Sequence, residues 1–359
     1  MSSQEKAELF LGLFLRNAFR KTEKGKAFKR VLASFPADFC YNSKVERVKN
    51  WMDGILALWK EPGMTSHDCV FKLRKILHMK KIGHGGTLDP GVSGVLPICL
   101  GKGTKVIEFL SDSGKVYEGE ITLGFATDTE DASGAVVERT PLSKPFSNAA
   151  IDAAMASMVG EITQIPPMYS AVKVNGRRLY EYARAGETVE RPQRKALIAS
   201  FERTTEPVWN PEEQTQSWRF KVSCGKGTYV RTLAYDTGKH LGSAACMTDL
   251  TRLASGGLTK EQSLTLAEVA DAMAEGRLEE FILPIEYGLK EFKRLDISRE
   301  LWARVKNGAR LTLADVGLKE MPQAPVALYY QDKAVSLYQA NPKEENGLKP
   351  LKVLRTEME

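Results

Sequence analysis

Residues 80–105, KKIGHGGTLDPGVSGVLPICLGKGTK, hold seven glycines, at 83, 85, 86, 91, 94, 101 and 103, and a single carboxylate, Asp89. Glycine recurs where backbone must take positive φ or where another chain comes close. Pro90 fixes its own φ and biases Asp89 away from helix, so an extended or turn backbone sets the direction of the acid. An isolated Asp-Pro-Gly reads as a plain β-turn with an Asx hydrogen bond. Here the apolar run Gly94-Val95-Leu96-Pro97-Ile98-Cys99-Leu100 follows at once, so a rigid polar loop abuts a buried segment and projects an acid that structure alone hardly needs. A carboxylate placed in this way is a candidate for chemistry.

The patterns on either side supply the fold class. Upstream, Gly54-Ile55-Leu56-Ala57-Leu58-Trp59 reads as an apolar strand and Lys60-Glu61-Pro62-Gly63 as a turn. Thr65 or Ser66 then caps a helix with Val70, Leu73, Ile76 and Leu77 on its apolar face. That helix delivers Lys80 and Lys81 to the glycine loop. Downstream, Tyr117, Gly119, Ile121, Leu123 and Phe125 alternate with polar residues, the period of a half-buried strand with Tyr117 on its core face. A helix after Asn148 presents Ile151, Met155, Met158 and Val159 and stops at Gly160. Trp218, Phe220, Val222 and Cys224 form a further alternating strand. Strands and helices mix without regular βαβ order, which predicts an α+β fold. Near the C-terminus, residues 295–308 read as a short helix and turn, and Val326–Tyr330 pairs with residues 334–338 around Gln331-Asp332-Lys333. Residues 348–354 add a strand.

Composition narrows the function classes. A chain of 359 residues accommodates two domains. No apolar run approaches the roughly 18 residues of a spanning helix, so no membrane partner is expected. Five scattered cysteines without a C-x-x-C pair point to a reducing compartment, and we expect a cytoplasmic protein. Four histidines without an H-x-x-x-H pair give no metal site. The net charge of +6 suggests nucleic acid, but residues 1–51 hold eleven Lys/Arg against five Asp/Glu, leaving forty of each sign beyond them. Any basic surface of the main body is therefore local. We read residues 1–51 as an N-terminal extension or a misassigned start, since orderly patterning begins at Met52.

Several motifs fail on spacing. Gly101-Lys102 has Leu96 where a P-loop needs its first glycine, and Gly83-x-Gly85 meets Leu88 where a dinucleotide fingerprint needs its third. Asp128, Glu130 and Asp131 imitate a calcium loop, but Ser133 replaces its glycine and Arg139 its bidentate acid.

Four ordered blocks carry a resemblance: DGILALWKEPGMTSHD from Asp53, GHGGTLDPGVSGVLPICLGKGTK from Gly83, IPPMYSAVKVNGRRLYEYAR from Ile165 and CGKGTYVRTLAYDTG from Cys224. Together they resemble the TruB-type tRNA pseudouridine synthase family, which isomerises the uridine at position 55 in the T-loop of tRNA. The resemblance runs from about residue 52 to residue 288. It implies a pseudouridine synthase catalytic fold with a mixed, mainly antiparallel sheet over 52–288, followed by a small PUA-like β domain over 289–359. Asp89 matches the catalytic aspartate. Tyr117 matches the aromatic that stacks on the target base and is a candidate for moving the C5 proton. Tyr229 and Arg231 match the pocket tyrosine and the arginine that pairs with the aspartate, Leu250 an apolar wall, and His84 the histidine that occupies space vacated by flipped nucleotides. The chain departs from the family pattern at Gly85 and Ser93, where threonine is common, and at Trp59, where an acid is usual.

The isomerisation breaks the N1 glycosidic bond, turns the uracil and joins C5 to C1′, with no net oxidation or hydrolysis, so no cofactor and no metal are expected. An ionised aspartate serves either as nucleophile or as base toward the sugar. In a dry pocket the Arg231 cation would keep Asp89 charged. Stacking on Tyr117 and Leu250, worth about 1–3 kcal/mol per base, would offset an unstacking cost of about a few kcal/mol. Residues 171–195 hold seven cations, with Tyr180 and Tyr182 interleaved. They resemble the family's insertion that closes over the T-arm, which makes Lys173, Arg177 and Arg178 candidates for phosphate contact. Lys80, Lys81, Lys102 and Lys105 extend that track. The implied partner is tRNA, held by T-arm and acceptor stem by a monomer without a guide RNA. The competing readings are a tRNA-binding folding chaperone that acts without catalysis and, as an enzyme, an RNA-guided synthase.

Overall fold

The computed structural model describes residues 52–358, so the reading of residues 1–51 lies outside the described residues. An eleven-stranded sheet organises them. In chain order its main strands are β1 (Gly54–Lys60), β2 (Ile82–His84), β3 (Ser93–Leu100), β4 (Lys115–Leu123), β5 (Gly160–Gln164), β6 (Arg194–Arg203), β7 (Thr215–Cys224), β8 (Ala245–Ser255) and β9 (Ile282–Leu283). Short ribbons at Val208–Asn210 and Leu258–Thr259 pair with β7 and β8. Across the sheet the order is β9-β1-β3-β8-β4-β7-β6-β5, with β2 also paired to β3. Every pairing is antiparallel except that of β3 with β8. The expected α+β class and mixed, mainly antiparallel sheet are what the chain forms.

The helices that position the site are α1 (Ser66–Ile76), α2 (Asn148–Ala156) and α3 (Val230–His240). Thr65, not Ser66, caps α1. Its hydroxyl accepts from the Asp68 N–H at 3.0 Å, while the Asp68 carboxylate accepts from the Thr65 N–H at 2.9 Å, a reciprocal capping box. Cys69, Val70 and Leu73 form the buried face. Helix α2 stops at Ala156, so Val159 lies beyond it and is exposed, and Gly160 opens β5 at φ 105°. Likewise β4 ends at Leu123, because Gly124 at φ 112° turns the chain before Phe125.

Strands β1 and β3 are apolar on both faces because both faces are covered. Leu56, Leu58, Leu96 and Ile98 enter the cluster that includes Leu73 of α1. Their alternates Ile55, Ala57, Val95 and Cys99 enter a second cluster, completed by Ala327, Tyr329, Leu337 and Leu354. The first three belong to, and Leu354 directly follows, a five-stranded C-terminal sheet made of β10 (Lys293–Asp296), β11 (Leu311–Thr312), β12 (Val326–Tyr330), β13 (Lys333–Ala340) and β14 (Gly347–Val353), ordered β10-β12-β13-β14-β11. Helix Arg299–Val305 follows β10 and packs Trp302 and Val305 onto this sheet's own core. Gln331 and Asp332, both at positive φ, make the β12–β13 turn. The C-terminal sheet keeps a core of its own, yet its other face lies on the main sheet, and the described residues fall in one unit. Glu286 fixes the junction by accepting from the Ala334 N–H and the Arg355 guanidinium, each at 2.7 Å.

Candidate active site

Asp89 opens a β-turn whose Val92 N–H donates to the Asp89 carbonyl at 3.1 Å. Four elements hold that turn. The Ser66 hydroxyl at the start of α1 accepts from the Leu88 N–H at 2.9 Å and donates to the Leu88 carbonyl at 3.2 Å. Gly63 donates to the Pro90 carbonyl at 2.9 Å. Lys60, at the buried end of β1, gives its ammonium to the carbonyls of Pro90 (3.1 Å) and Val92 (2.7 Å). On the far side Arg252 of β8, wholly buried, donates to the carbonyls of Val95 at 2.8 Å and Gly86 at 3.0 Å. Burial pushes Lys60 below its ordinary value, with Cys69 and Asp89 acting against that. Gly94 is obligatory in this packing, for a Cβ there would lie 2.2 Å from the Arg252 carbonyl oxygen, at φ 124°.

Arg231 lies in the first turn of α3 and is nearly buried. Its guanidinium reaches the Asp89 carboxylate at 3.0 Å and the Asp131 carboxylate at 3.8 Å, and donates to the carbonyls of Thr129 (2.9 Å) and Tyr169 (3.0 Å). Asp89 itself keeps 43% of its side chain accessible, so the cleft is open to water on that side, not the dry pocket expected. The carboxylate needs that opening if it is to meet a substrate.

The six side chains that the resemblance places around the reacting base, Asp89, Tyr117, Tyr229, Arg231, Leu250 and His84, line one cleft of about 860 Å³. Tyr117 on β4 and Leu250 on β8 form buried walls. Burial pushes the Tyr117 phenol up, and the Arg252 guanidinium beside it acts the other way. Tyr229 is half-buried and fixed through its backbone, since the Gln164 side chain accepts from its N–H at 3.0 Å and donates to its carbonyl at 3.1 Å. Burial, then Arg252 and His67, push His84 below its ordinary value, and its Nδ1 is buried without a hydrogen-bond partner.

The basic residues divide. Arg178, with Tyr180, lines the same cleft and so brings the 171–195 segment to Asp89. Arg177 pairs with Glu187 at 2.9 Å and lies over the Tyr182 ring, while Lys173 borders a separate groove beside Ile165. Lys80 and Lys81 are exposed and lie outside the cleft lining. Lys105 does not extend a phosphate track, because its ammonium donates to the carbonyls of Val353 and Leu354 at the C-terminal sheet. Lys102 is paired with Asp53 at 3.1 Å.

Sequence reasoning missed Lys60, Arg252, Gln164 and Asp131. Two of the three acids set aside as a failed calcium loop, Glu130 and Asp131, meet arginines instead, while Asp128 accepts from the Ala135 N–H. Glu130, at φ 62°, accepts from Thr232 at 2.9 Å and sits 3.9 Å from Arg191, next to the Asp131 that meets Arg231. Burial pushes Glu130 up. A dense acidic loop with no metal signature was the available hint that cations converge on it.

Residues 74–230 match the model of the TruB family pseudouridylate synthase N-terminal domain, and residues 231–290 match that of the tRNA pseudouridylate synthase B C-terminal domain. The chain is 51% identical over 304 residues to the tRNA pseudouridine synthase B of Lactiplantibacillus plantarum, an overlap of 84% of this chain and 98% of that one. It is 52% identical over 302 residues to the enzyme of the same name from Streptococcus sanguinis, covering 84% and 99%. Among solved structures it resembles a chain of a Cbf5-Nop10-Gar1 complex, with TM-score 0.65 and 28% identity over 85% of each chain. A chain from an H/ACA RNP bound to a substrate RNA containing 2′-deoxyuridine gives TM-score 0.62 and 26% identity, covering 85% and 86%.

Proposed function

The chain belongs to the TruB family of pseudouridylate synthases, and on that premise we propose that it isomerises uridine 55 in the T-loop of tRNA, with Asp89 as the catalytic carboxylate. The observation that carries this reading is the Asp89–Arg231 pair in the cleft walled by Tyr117 and Leu250. Arg231 pairs with the acid and aims it, while its own charge is shared with Asp131. A half-exposed carboxylate fixed by a guanidinium is competent toward C1′ of a flipped nucleotide, and the buried aromatic and aliphatic walls give the uracil faces to rest on. Tyr229 and His84 add to the lining, and Arg178 supplies a cation to it.

The tRNA enters by its T-arm against the 171–195 segment, while the C-terminal sheet, in the place of a PUA-like domain, meets the acceptor stem. The protein acts as a monomer in the cytoplasm and takes its specificity from the folded arm, without a guide RNA. A T-arm hairpin transcript carrying tritium at uridine C5 tests this. The full chain alone should release tritium, and Asp89→Asn should release none while still binding the hairpin. No release by the wild type, or equal release by both, rejects the reading.

A further inference from the structure

Arg252 carries an unbalanced charge. It is wholly buried, and no carboxylate of the described residues pairs with it. Three of its N–H groups go to the carbonyls of Val95, Gly86 and Thr87, the last at 3.4 Å. Carbonyls orient a guanidinium but do not neutralise it, and a buried cation without an anion is costly to keep. Its other ionisable neighbours are Lys60, Lys115 and His84, none of which can supply a negative charge, and two acids neutral at rest, the Cys224 thiol and the Tyr117 phenol. Arg252 and Tyr117 stand directly opposite each other in the β8–β4 register, both side chains line the cleft, and the guanidinium acts on the buried phenol. The other groups that act on that phenol are the buried Cys224 thiol and Asp89, already paired with Arg231, while Lys115, on the same cleft, is committed to the carbonyls of Ser111 and Ser113.

We propose that Arg252 is a positioning residue that holds Tyr117 as a phenolate while the proton leaves uracil C5, so that the missing counter-charge forms on the enzyme during the reaction. This rests on the synthase reading above. Once the N1–C1′ bond has broken and C5 has joined C1′, C5 carries both the new bond and its hydrogen, and the ring holds a C6=N1 double bond. Tyr117 gives its phenol proton to N1, and the phenolate left behind takes the proton from C5. The C5–H electron pair forms C5=C6 as the C6=N1 pair withdraws onto N1. One proton is given and one returns, so the enzyme ends as it began. The same guanidinium grips the two carbonyls before the Asp89 turn and the one after it, and thereby ties the geometry of the phenol to that of the acid.

The test compares turnover of tRNA bearing hydrogen or deuterium at uridine C5. Arg252→Gln should slow the full-length enzyme by about a hundredfold or more, the scale of a lost proton-transfer device. It should also reveal a primary deuterium isotope effect absent from the wild type, with Arg252→Lys recovering part of the rate. A merely loosened Asp89 loop would slow the earlier glycosidic step and leave turnover insensitive to deuterium, and that result overturns the proposal. If Arg252→Gln does not fold, Tyr117→Phe carries the test with Arg252 in place. Slow single-turnover conversion with the isotope effect supports the proposal, and conversion without it overturns it. A wild-type chain inert toward the T-arm would instead refute the synthase reading itself.

Discussion

At Asp89 two requirements meet in one side chain, a rigid turn beneath it and open space above it. The turn is set by Pro90, and by the Lys60 and Arg252 side chains that grip backbone carbonyls on either side. Arg231 then fixes the carboxylate. Arg231→Met would strip the Asp89 carboxylate of its cation and leave the carbonyls of Thr129 and Tyr169 unanswered, so stability should fall by about 1–3 kcal/mol, read from the urea midpoint, together with a loss of kcat greater than any change in tRNA affinity. His84 adds a pH dependence. Because burial lowers its folded value below 6.5, the unfolded chain takes up a proton that the folded chain refuses. Its contribution to stability is therefore full above that pH and is lost as the pH falls through the window beneath it. His84→Gln should flatten the slope of denaturation free energy below about pH 6.5; an unchanged slope would assign the effect elsewhere. Asp89, Arg231 and Tyr117 were legible because they sit in quotable motifs. Arg252 was not, since a lone arginine in TDLTRL carries no spacing signal and only the β8–β4 register sets it against Tyr117.

Among the elements, β3 and β8 decide where the acid stands, because their single parallel contact sets Arg252 against Gly94. Bulges in β8 at Met247/Asp249 and Arg252/Ala254 bracket Leu250 and Arg252, the kind of local re-aiming that bulges supply beside active sites. Gly94→Ala should lower stability by at least about 1–3 kcal/mol from the backbone conformation alone, with a further loss from the clash at the Arg252 backbone. Gly91→Ala, with nothing within 4 Å of the added Cβ, should stay close to wild type in its urea midpoint. Equal losses at both positions would mean that the β3–β8 approach is not the constraint. Alternation made β4 and β7 readable, whereas GILALWK of β1 shows no alternation at all. Only the second covering layer explains why Ile55 and Ala57 are as buried as Leu56 and Leu58.

Across the whole molecule, that second layer is the C-terminal sheet, whose Ala327, Tyr329 and Leu337, together with Leu354, close the back of the main sheet while the cleft opens elsewhere. Its hairpin was visible in sequence, but its docking was not, because no local pattern says which face of a distant strand it will cover. Removing residues 293–358 should therefore expose Ile55, Val95 and Cys99 and destabilise the remainder, by about 1.5–3 kcal/mol for each large side chain uncovered. The shortened chain should melt earlier or aggregate in a thermal scan, while a fragment as stable as the full chain would refute the shared core. The net charge, which first suggested nucleic acid, resides in residues 1–51, and the case for RNA rests instead on the cleft and on the 171–195 segment beside it. The most direct test of the central claim is to map pseudouridine along an unmodified full-length tRNA transcript treated with the purified chain alone. One new pseudouridine is expected, at uridine 55, with the wild type and none with Asp89→Asn. Product elsewhere in the tRNA, or the same product from Asp89→Asn, would contradict it.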